Sequence, residues 1–86
     1  PAALLGVAEG AEAQGKQAEA ARSYRAVIDE QSADPYRLVA EINLARMQIE
    51  KKEYAPAKAL LEAVHRRKPV NRFDGEIQEL LDRLPP

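Results

Sequence analysis

Eighty-six residues carry thirteen basic and fourteen acidic side chains, a net charge of −1 and no cysteine. A chain this short buries only about 60% of the surface it exposes unfolded, which argues against a deep enclosed active site. Balanced charge removes the sequence-independent pull on phosphate that nucleic-acid binders need, and the missing thiols exclude disulfides and thiolate metal sites in any redox compartment.

Alanine is the commonest residue, Leu, Glu, Arg and Gln fill most other positions, and β-branched residues are few. Intrinsic propensity therefore favours helix nearly throughout, and an all-α chain is expected. No apolar run approaches the ~20 residues that span a bilayer, so membrane insertion is not expected. The sequence opens at Pro1 with no charged and apolar leader, so it is expected to be an excised domain or processed product of a longer chain.

The first helix is expected over Ala2 to Ala13, with Leu4, Val7, Ala8 and Ala11 as its apolar stripe and Leu5 on a second, narrower one. Gly6 and Gly10 weaken it by ~1 kcal/mol each relative to alanine, so it needs neighbours. Gln14-Gly15-Lys16 makes a tight turn. The second helix, Gln17 to Gln31, buries Ala20, Tyr24, Val27 and Ile28 and turns Glu19, Arg22, Arg25, Asp29 and Glu30 to water. Asp34 is placed to cap a third helix, and Pro35 to fill its first position, where no intrahelical N–H bond is required.

That third helix, Pro35 to Glu50, has Leu38, Ile42, Leu44, Ala45, Met47 and Ile49, too many apolar positions for one face. It either lies between two layers or has an open apolar surface suited to a ligand. Lys51 to Glu53 makes a second turn. The fourth helix buries Tyr54, Ala57, Leu60, Leu61 and Val64, tolerates Pro56 in its first turn, and closes on the basic run His65-Arg66-Arg67-Lys68, which complements its dipole. Asn71 is placed to cap a fifth, strongly amphipathic helix, Arg72 to Leu84, striped by Phe73, Ile77, Leu80, Leu81 and Leu84 and stopped by Pro85-Pro86.

One spacing ties these helices together. A small residue followed by a large one a turn later occurs as Ala20 and Tyr24, and thirty-seven residues on as Ala57 and Leu61. Ala8 precedes Ala20 by twelve residues, as Ala45 precedes Ala57. The two hairpins resemble the tetratricopeptide repeat, a helix-turn-helix unit of roughly 34 residues with the pattern W-x2-L-G-x2-Y, then A-x3-F, then P. The first unit meets it as Leu4-x2-Val7-Ala8-x2-Ala11, Ala20-x3-Tyr24, Val27 and Pro35, the second as Leu44-Ala45, Tyr54, Ala57-x3-Leu61, Val64 and Pro69. It departs where Leu4 and Glu41 replace the bulky aromatic, Ala8 and Ala45 the glycine, Gln48 the tyrosine and Lys52 the turn glycine.

The resemblance implies an α-α superhelix with repeats over 1–34 and 35–69 and a capping helix over 71–84. It also implies a concave face lined by Leu5, Glu9 and Glu12 in the first unit and by Ile42, Arg46 and Ile49 in the second. Such a face would take a protein or peptide partner, an amphipathic helix or an extended segment, as a scaffold or adaptor does. Only Arg46 of the basic carboxylate-clamping cluster found in some members is in this set, which disfavours binding of a partner's C-terminal carboxylate. The alternative is that Leu5, Ile42 and Ile49 are covered by a neighbouring repeat or a second copy, in a structural end segment or self-associating unit with no peptide ligand.

Chemistry finds little purchase. His65 is the sole histidine and lacks co-ligands, so no metal is expected. The carboxylates, Glu9 and Glu12 included, lie on helix exteriors without the shelter that separates two pKa values, and Ser23 and Ser32 have no base at a recognisable spacing. Gly6, Gly10 and Gly15 follow no strand, so no phosphate loop is formed. Neither enzyme activity nor a cofactor is expected. Alanine and arginine richness resembles proteins of GC-rich bacteria, without choosing between cytoplasm and periplasm.

Overall fold

A computed structural model describes residues 2–30, 36–67 and 71–85. Five helices and no strand occur among them: α1 (Ala2–Ala13), α2 (Gln17–Asp29), α3 (Tyr36–Glu50), α4 (Tyr54–Arg66) and α5 (Asn71–Asp82). The chain forms two compact units, residues 1–44 and 45–86, and α3 passes from one to the other between Leu44 and Ala45. Asp34, Pro35, Lys68, Pro69 and the Asn71 side chain lie outside the described residues. Helix α5 is described from Asn71 onward.

In the first unit α1 packs on α2. Ala8 and Ala20 have no exposed surface, as their small size requires of a close helix pair, and Tyr24 and Val27 are equally buried on α2. The stripe on α1 is rotated from its expected position. Leu5 is buried at 8% exposure while Val7 stands out at 54%. Val7 lies about 100° round the helix from Ala8, at the edge of the arc that Leu5, Ala8 and Ala11 bury. Alanines and glycines give too little contrast in α1 for periodicity to fix the boundary of that arc.

In the second unit α4 packs on α5. Ala57, Leu61 and Val64 are fully buried on α4, and Ile77 and Leu80 are buried on α5. Tyr54, Leu60, Phe73, Leu81 and Leu84 are half-buried and flank these stripes. Asp74 sits in the first turn of α5 and His65 and Arg66 in the last turn of α4, each where the helix dipole favours its charge.

Helix α3 resolves the choice its composition posed. Leu38, Ile42, Leu44, Ala45, Met47 and Ile49 are all buried, as are Ala40, Glu41 and Gln48. A helix apolar around most of its circumference is stable in water only when covered on most sides.

The two turns agree bond for bond. At the first, the Gln14, Gly15 and Lys16 amides donate to the Gly10, Glu12 and Ala11 carbonyls at 3.1, 3.0 and 2.9 Å. At the second, the Lys51, Lys52 and Glu53 amides donate to the Met47, Ile49 and Gln48 carbonyls at 3.1, 2.9 and 2.8 Å. Each donor and acceptor is displaced by the same thirty-seven residues. The pivot residue is left-handed in both, Gly15 at φ 80° and Lys52 at φ 63°, which satisfies the last carbonyls of the preceding helix. The residues entering the next helices also match, Lys16 at φ −86°, ψ 70° and Glu53 at φ −91°, ψ 72°. Neither uses a side-chain cap.

Candidate functional site

The six positions implied by the resemblance divide by chemistry into two groups. Leu5, Ile42 and Ile49 are buried at 8%, 2% and 7% exposure and form part of the core. Glu9 is exposed, and Glu12 and Arg46 are half-buried. Aliphatic side chains are more stable against other side chains than against water, by roughly 1.5–3 kcal/mol each.

Each accessible polar position is set by its own helix. On α1, Glu9 and Glu12 are three residues apart and share a face. The Tyr24 hydroxyl reaches over from α2 and donates to Oε1 of Glu12 at 2.8 Å. Tyr24 has no exposed surface, and a buried phenol is stable only with its hydroxyl paired. Glu12 therefore has a structural duty that sequence reasoning missed. The repeat itself carried the signal: thirty-seven residues on, the positions of Glu12 and Tyr24 hold Ile49 and Leu61, both buried. A polar pair in one hairpin is an apolar pair in the other.

On α3, Nη1 of Arg46 lies 3.5 Å from Oε1 of Glu50, one turn on, with both side chains substantially exposed. Such an exposed pair contributes at most a few tenths of a kcal/mol to stability. One turn before Arg46 and on another face, Glu41 occupies the position of the family's bulky aromatic and is 2% exposed. Its Oε2 is 3.7 Å from Nε of Arg37. Gln48, where a tyrosine is usual, is 6% exposed and its Oε1 has no hydrogen-bond partner. Neither departure was identified as buried from sequence.

Helices α1 and α3 differ at matched positions. Ala3, Val7 and Gly10 on α1 are exposed, whereas Ala40, Leu44 and Met47 on α3 are 0%, 4% and 3% exposed. A Cβ built on Gly6 or Gly10 would meet nothing within 4 Å. Tyr36, at 42%, is the other large exposed apolar side chain among the described residues. His65, Arg66 and Arg67 are exposed at the end of α4.

Among the described residues no three His, Cys, Asp or Glu side chains are grouped as a metal site requires. No described helix is long and apolar enough to cross a membrane.

Residues 1–81 match the family model described as a tetratricopeptide repeat-like domain. No curated protein and no solved structure matches the chain. Families of this kind are helical repeats that generally mediate protein interactions and are generally non-catalytic.

Proposed function

The chain belongs to the tetratricopeptide repeat-like family, and from that premise we propose that it is a non-enzymatic scaffold or adaptor that binds a protein or peptide partner through its leading helices. Its repeats are assigned to 1–34 and 35–69 and its capping helix to 71–84. Glu9, Glu12 and Arg46 make the polar contacts, α1 and α3 each contributing its own patch. Leu5, Ile42 and Ile49 act behind them by holding the helix backbones in place. The observation that carries this proposal is the matched turn geometry of the two hairpins, which sets the leading helix of each in the same relation to its turn.

A photo-crosslinking residue introduced at position 9 or 46 of the protein, followed by mass spectrometry, identifies the partner. With that partner purified, Glu9→Lys and Arg46→Glu are expected to weaken binding about tenfold or more, with helicity and melting temperature unchanged, as for charges in an interface. Undiminished affinity in both variants would remove these helices from the binding surface. Ile42→Glu and Ile49→Glu are unsuitable here, because at 2% and 7% exposure they would bury an unpaired charge and unfold the chain.

A second reading is favoured by one specific contrast, the exposure of Ala3, Val7 and Gly10 against the burial of Ala40, Leu44 and Met47. Under it the chain is a structural segment of an assembly, or self-associates, and α1 supplies the joining face. Sedimentation of the chain across a hundredfold concentration range separates the two. A monomer throughout supports the adaptor, and association lost in Val7→Glu supports the assembly segment.

A further inference from the structure

We draw no further inference here: the strongest candidate, the uncharged outer face of α1 formed by Ala3, Gly6, Val7 and Gly10, is a stripe of small residues around one exposed valine, and nothing in the structure shows what covers it.

Discussion

The hydrogen bond between Tyr24 and Glu12 joins α1 to α2 and holds one of the proposed partner contacts, and it can be measured by copying the apolar pair of the other hairpin. Tyr24→Phe removes only the hydroxyl that donates to Glu12 at 2.8 Å. A hydrogen bond to a charged acceptor contributes about 1.5–3 kcal/mol. Glu12 is half-buried, so water replaces part of that, and the expected loss is about 1–2 kcal/mol, or a fall in melting temperature of roughly 4–16 °C for a domain of this size. Glu12→Ile alone leaves the phenol of a fully buried tyrosine without this acceptor and costs a similar amount.

Tyr24→Leu alone leaves a carboxylate facing an apolar side chain and a cavity where the ring was, for about 2–4 kcal/mol. The double variant, Glu12→Ile with Tyr24→Leu, reproduces the chemistry of Ile49 and Leu61, which are 7% and 0% exposed. It is expected to be at least about 1 kcal/mol more stable than the sum of its single changes. Urea denaturation followed by circular dichroism on the four proteins gives the coupling directly. Additivity within about 0.5 kcal/mol, together with a Tyr24→Phe variant as stable as the parent, would show that the bond contributes nothing and that the two hairpins do not share a design at these positions.

Other substitutions probe the turns and the core. Lys52→Gly relieves an L-residue at φ 63° and, after the entropy glycine adds to the unfolded chain, should stabilise by about 0.5–1 kcal/mol. Gly15→Ala should cost about 1 kcal/mol although its Cβ would meet nothing within 4 Å, because the penalty lies in the backbone at φ 80°; thermal melts of both variants check the two signs. Gln48→Met removes a buried oxygen that has no partner and is expected to raise stability by about 1 kcal/mol in urea titrations. Ala20→Leu and Ala57→Leu overfill sites with no exposed surface and should each cost about 1–3 kcal/mol or more, with near-parent stability in either one refuting close helix approach at that alanine.

Local rules made most of the helices legible. Propensity and period placed α1 at Ala2–Ala13, and the glycine turn placed the start of α2 at Gln17. The thirty-seven-residue spacing of Ala20 and Ala57 identified a repeat whose second turn, built on Lys52 instead of glycine, has the same bonds as the first. These features depend on residues within a turn or two of one another, so a single strand of sequence contains them.

Side-chain environment across helices was not legible in that way. Val7 satisfies the helical period as well as Leu5 does, yet one is exposed and the other buried, since on an alanine-rich helix the neighbour's position, and not the pattern, sets the edge of the buried arc. Ile42 and Ile49 could line a groove or fill a core with the same spacing, and only the surrounding chain assigns them to the core. Glu12 reads as a surface charge until α2 brings a buried phenol to it at 2.8 Å. The sequence by itself determined the helices, their turns and the repeat, because short-range sterics and hydrogen bonds specify these; tertiary structure decided which faces meet water, because that depends on atoms distant along the chain.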